Sequence, residues 1–164
     1  MRQFTVLLGL IGTLALALAA TAGATPPTTE TFHDEGSMID TELCGFAINA
    51  SFEVDDRITT FYDSAGDPIR VVERVTFLGT LTNGDKSVVD NDNWVVVHDL
   101  VGGTDIFLGT VFNINVPGEG IVVLDAGRVI FDAETGEILF EGGPHQALHG
   151  EGDFEAICDY LADP

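Results

Sequence analysis

From residue 31 onward, apolar side chains mostly alternate with polar ones, a period of two that marks half-buried β-strands. Runs rich in Val, Ile, Phe and Thr fall at 31–39, 45–54, 57–62, 69–81, 87–89, 94–100, 106–116 and 120–131, with a short ninth at 137–141. The breaks carry turn chemistry: Ser64-Ala65-Gly66-Asp67-Pro68, Asn83-Gly84-Asp85, Gly102-Gly103, Pro117-Gly118-Glu119-Gly120 and Glu134-Thr135-Gly136. Parity then sorts each run into faces. Phe46, Ile48, Phe52 and Val54 share one side of the second run, and Ile69, Val71, Val75, Phe77 and Leu81 one side of the fourth. In 106–116 the inner set reads Ile106, Leu108, Phe112, Ile114 and Val116. Only 153–161 changes period: Phe154, Ile157, Cys158 and Leu161 make one helical stripe, with Asp153 placed to cap it.

This pattern predicts an all-β fold, a closed antiparallel barrel of about eight strands with one C-terminal helix, since closure leaves no sheet edge exposed. The architecture imagined is lipocalin-like or allene-oxide-cyclase-like; a two-sheet β-sandwich fits the same pattern. The first 24 residues have a different plan. A short basic start, an apolar run from Phe4 to Ala20 and small-residue sites ending at Ala22 and Ala24 are those of a secretory signal peptide. The expected organisation is a signal peptide at 1–24, a Thr/Pro-rich flexible lead at 25–31, and a single domain at 32–164. A secreted protein at the bacterial cell exterior follows, with no stable membrane insertion after cleavage.

Charge narrows the partners. Removing 1–24 takes away Arg2 and no acid, leaving 5 Lys+Arg against 27 Asp+Glu, a formal charge near −22. Nucleic acid and anionic membrane surfaces, which want a basic patch, are disfavoured. A solvated acidic surface is the leading reading, and solubility outside the cell, a cationic partner, divalent cations or a salty environment are the others it favours. The only cysteines, Cys44 and Cys158, allow one internal disulfide, the usual fate of two thiols in an exported chain.

Several stretches together, Cys44-Gly45-Phe46, Asp67-Pro68-Ile69-Arg70, Val116-Pro117-Gly118-Glu119-Gly120, Leu124-Asp125-Ala126-Gly127-Arg128 and Asp153-Phe154 with Cys158, resemble a group of small secreted proteins of high-GC Gram-positive bacteria. The resemblance implies export and paired cysteines. It carries over no catalytic residue.

Candidate chemistry comes from residues that break the pattern. Glu73 falls on the apolar side of its strand between Val71 and Val75, where a carboxylate needs a partner, a proton or a β-bulge that turns it outward. His98 shares parity with Trp94, Val96 and Leu100, and Asp125 with Val123, Gly127 and Val129. Converging inside a barrel with Phe77 and Phe112, these three would line a small-molecule site. His145 and His149 stand four apart, a spacing that can serve zinc on a helix, but the flanking glycines and proline favour a polar loop. Asp90-Asn91-Asp92-Asn93 offers alternating oxygen ligands for calcium, yet lacks the glycine and distal glutamate of an EF-hand loop and reads better as an Asx-rich turn. No metal and no cofactor is therefore expected.

The leading functional expectation is an exported binding module holding a small apolar or amphipathic ligand inside a barrel, through Glu73, His98, Asp125, Phe77 and Phe112. An isomerase or cyclase using a buried Glu73 is the second reading. An envelope or matrix interaction protein working through its acidic surface is the third. Catalytic residues and oligomeric state stay open.

Overall fold

The computed structural model describes residues 25–162, and the expected leader lies outside them. The elements are β1 (Thr28–Asp40), β2 (Ile48–Tyr62), β3 (Pro68–Asn83), β4 (Lys86–Asp99), β5 (Thr104–Val116), β6 (Gly120–Asp132), β7 (Ile138–Gly142) and α1 (Phe154–Ala162). All seven strands lie in one antiparallel sheet, in chain order, each paired to the next.

The sheet is open, which corrects the expected barrel and equally the two-sheet sandwich. Its edges are β1 and β7, and β7 has 5 residues against the 13 of β1, too few to close a ladder along it. The strand count also differs. Runs 45–54 and 57–62 fuse into β2 because Asp55-Asp56 pass through extended backbone rather than a turn. Runs 87–89 and 94–100 fuse into β4, so the Asp90–Asn93 stretch is strand, not an Asx-rich loop. β1 begins at Thr28, inside the segment expected to be a lead.

Register defines two faces. One carries Ile48, Phe52 and Val54 of β2, then Val71, Glu73, Val75, Phe77 and Leu81 of β3, then Val88, Trp94, Val96 and His98 of β4. On β5 this face begins with Asp105 and Phe107, opposite His98 and Val96. Val111 is then an extra, unpaired residue, and the bulge switches the face to Phe112 and Ile114, opposite Asp125 and Val123. Two of the five residues of the expected inner set of β5 are therefore corrected, because Ile106 and Leu108 point the other way.

Helix α1 lies on this face, at the end where β2, β4 and β6 start. Ile157 and Leu161 pack with Ile48, Val88, Ile114, Val116 and Val123 into the buried core. Asp153 caps the helix, its Oδ1 accepting the Ala156 N–H at 3.0 Å. At the other end, the Asn83 side-chain amide donates to the Leu161 carbonyl (2.8 Å) and Lys86 Nζ to the Tyr160 carbonyl (2.9 Å), satisfying last-turn acceptors. The Cys44–Cys158 disulfide joins the loop after β1 to the helix, with Cα atoms 5.3 Å apart.

Length explains what remains uncovered. A helix of 9 residues spans about 13 Å, whereas a strand of 15 spans roughly 50 Å. α1 is thus far shorter than the strands it packs on and leaves much of the face uncovered.

Candidate functional site

The five residues expected to line one interior site fall into separate places. Glu73 and His98 do meet. His98 Nε2 lies 3.4 Å from Glu73 Oε1, and its Nδ1 is 2.7 Å from Asp105 Oδ1. Asp105 is the member that residue patterns missed, although counting back across the 99–104 turn would have placed it opposite His98. Both imidazole nitrogens face carboxylates, and the trio ties three adjacent strands together. At 30% side-chain exposure Glu73 is not the buried acid of an enclosed cavity.

Asp125 is on β6, at the helix-covered end, and is buried. Its carboxylate accepts the N–H groups of Ala147 (2.7 Å) and Leu148 (3.1 Å), pinning the segment that follows β7 to the sheet. His145, buried and bridged to Asp125 through backbone, belongs to that segment, while His149 is exposed and bonded to Glu141 at 2.6 Å. The two histidines thus share no ligand face. Phe112, 37% exposed, joins Asp125, Phe107, Val129, Phe131 and His145 around an open apolar groove of about 460 Å³. Gly109 and Gly127 form its floor. They pair across β5 and β6 at φ 119° and 131°, where a Cβ on either would strike backbone. Phe77 lies apart from that groove, opposite Asp92. No enclosed pocket gathers the five, so the interior-ligand expectation is corrected together with the barrel that motivated it.

Within β4, Asn91 and Asn93 point away from Asp90 and Asp92, which share the helix-bearing face. Asp92 is 1% exposed and its Oδ1 has no hydrogen-bond partner, while Asp90 accepts the Asn113 N–H at 3.0 Å. Burial first, then the charge of Asp90 and a hydrogen bond to it, push Asp92 up to about 8. Burial raises Asp90 as well. The pair therefore shares a proton at neutral pH. With the asparagines facing away, the calcium geometry has no basis.

The remaining concentration of charge is on the β1–β2 hairpin. Residues 28–62 hold Glu30, Asp34, Glu35, Asp40, Glu42, Glu53, Asp55 and Asp56 against a single arginine, Arg57. On the face away from α1, Glu35 stands directly opposite Glu53 and His33 directly opposite Asp55. His33 Nδ1 meets Asp55 Oδ1 at 2.9 Å. That hydrogen bond and the Asp55 charge, with smaller contributions from Glu53 and Glu35, hold the His33 imidazole above its ordinary range. One ligand atom from each of His33, Glu53 and Asp55 falls within 4.8 Å of the others. These three are the described residues with the composition to hold a metal ion. Yet Asp55 already engages Nδ1, so an ion bound through that nitrogen would displace the hydrogen bond. Beside the cluster, Glu35, Ser37, Ser51, Glu53, Leu78 and Thr80 line an open polar groove of about 390 Å³. All members of the cluster are exposed.

Comparison of the chain with protein families, curated proteins and solved structures finds no match.

Proposed function

We propose that the chain is an exported interaction protein that engages a cationic partner through the acidic β1–β2 hairpin. The observation that carries this reading is the solvent-exposed run of His33, Glu35, Glu53 and Asp55 on a hairpin with eight carboxylates and one arginine. Opposed carboxylates repel, so the Glu35–Glu53 pair weakens the hairpin and is relieved by an approaching positive charge. Export rests on the signal-peptide pattern of 1–24 and on the disulfide, which belongs in an oxidising compartment. The resemblance to small secreted proteins points the same way. No helix of the described residues is long and apolar enough to cross a membrane.

Decalysine is a suitable probe, titrated by calorimetry into the purified protein at low and at high salt. Binding should be strong at low salt and collapse by about 0.5 M salt, where the Debye length has fallen to a few ångströms. Replacing Glu35, Glu53 and Asp55 by their amides should weaken it about tenfold. Replacing Glu134, Glu137 and Glu151 removes the same charge elsewhere and should leave binding nearly intact. Equal losses from both sets would show that net charge, not the hairpin, attracts the peptide, and the reading would fall.

A further inference from the structure

All four arginines among the described residues lie on the face of the sheet turned away from α1. The register runs Arg57 opposite Arg74, Arg74 opposite Val95, Val95 opposite Leu108 and Leu108 opposite Arg128, one row across β2 to β6. Arg70 is four residues from Arg74 on the same side of β3. The chain has 27 acidic residues, yet among the described residues none of the four arginines has a carboxylate at ion-pair distance. Two carboxylates on that face have other partners. Asp55 holds His33, and Asp99, opposite Arg70, accepts the N–H groups of Val101 and Gly102 in its own turn.

Two of the arginines have aromatic company. Arg70 stacks over Phe61 at 4.4 Å and Arg128 over Phe140 at 5.6 Å. Arg57 and Arg74 have none, are exposed, and stand directly opposite each other on adjacent strands. Such a pair has Cβ atoms about 5 Å apart and is repulsive. Two neighbouring guanidinium forks are also the geometry that recognises a phosphate or sulfate group bidentately. We infer that Arg57 and Arg74 form an oxyanion site, taking a phosphate- or sulfate-type group between their guanidiniums. On the same face the adjoining row runs from buried Val72 to half-buried Val97 and Ile106, and these last two give an apolar substituent on the anion a surface to lie on. This site adjoins the acidic hairpin surface, since Arg57 stands two residues from Asp55 on the same side of β2, but it takes a ligand of the opposite sign and rests on Arg57 and Arg74 alone.

The test is calorimetric or NMR titration of the purified protein with inorganic phosphate and with octyl phosphate, at constant ionic strength set by chloride. R57Q or R74Q should lower phosphate affinity about tenfold, and R128Q, which removes the same charge from the same face, should change it less than about twofold. Because Arg57 is exposed, R57K should fold normally, keep the charge and still lose affinity, since an ammonium lacks the fork. Equal weakening by R128Q, an unaffected R57K, or phosphate binding no better than chloride would overturn the site. Tighter binding of octyl phosphate assigns the group to a phosphate ester lying on Val97 and Ile106; equal binding assigns it to the free anion.

Discussion

The corner of the sheet beneath α1 and the β1–β2 hairpin are made of the same long antiparallel strands, but they obey opposite rules. Under the helix, Ile48, Val88, Val116, Val123, Ile157 and Leu161 are at most 1% exposed. Along β1 no residue is buried, and Phe32, Met38 and Ile39 are more than half exposed. The first region stabilises the fold by removing apolar area from water, while the second relies on ladder hydrogen bonds to β2 and little else. Charge follows that division. A carboxylate on the hairpin keeps its water and loses little by being there, so eight can accumulate. In the covered region, burial together with the neighbouring Asp90 forces a proton onto Asp92. The hairpin is thus the part of the molecule where surface chemistry can vary without endangering the fold.

The largest expected effect comes from cutting the one covalent tie between the two regions. Cys44 follows the hairpin's first strand and Cys158 sits on α1, and the bond closes 114 residues. A loop of that size contributes about 4–5 kcal/mol in the chain-entropy account. Cys158→Ser, or reduction by dithiothreitol, should lower the melting temperature by well over ten degrees for a domain this small. A reduced protein that melts where the oxidised one does would mean that the core under α1 holds the corner alone, and the division drawn above would be too sharp.

The next effect tests the covered region from inside, through pH. Asp92 is raised from 3.8 to about 8 in the folded protein. Between those values the folded state holds a proton that the unfolded chain releases. Stability therefore falls as pH rises through that window, by up to about 1.4 kcal/mol per unit, and the contribution is fully restored only below the unfolded value. Asp92→Asn keeps the shape and deletes the titration. Denaturant unfolding of the variant should show a flatter dependence from pH 5 to pH 8 and a gain of roughly 2–4 kcal/mol at neutral pH. If the variant is less stable than the parent at pH 8, the carboxyl pair is an asset to the sheet rather than a burden.

What the sequence made legible follows the same boundary. The alternation of Val71, Glu73, Val75 and Phe77 was enough to place Glu73 on the apolar face of its strand, because strand parity is a local property, whereas its meeting with His98 is set by the β3–β4 register. The stripe of Phe154, Ile157 and Leu161 with its Asp153 cap likewise specified a helix and, through Cys158, its anchor. Parity failed on β5, where the single extra residue Val111 reverses the face and no local residue announces it. It also could not tell a closed sheet from an open one, since closure depends on whether β7 is long enough to meet β1, a property of neither strand alone. Turn residues misled at Asp90–Asn93 because cross-strand pairing overrode their local preference. The hairpin cluster was legible only as net charge. His33 lies about twenty residues from Glu53 and Asp55 and becomes their neighbour only through register.

The smallest expected effect is the one that most directly joins stability to contact. Glu35 and Glu53 stand opposite each other on an exposed strand pair, so removing one charge should relieve repulsion without disturbing packing. Glu53→Gln should stabilise the protein by a few tenths of a kcal/mol at low salt, and the gain should vanish in high salt as screening removes what the substitution removed. By contrast, Ile157→Ala in the covered corner should cost about 2–5 kcal/mol at any salt. The salt dependence is what identifies the cause, because a packing effect would not respond to it. Coupled with weaker decalysine binding, a stabilised Glu53→Gln would mark a residue that serves contact at the expense of the fold. A destabilised one would mean that the carboxylate is fastened into the hairpin, through His33 or a bound cation, and that the acidic surface is part of the scaffold after all.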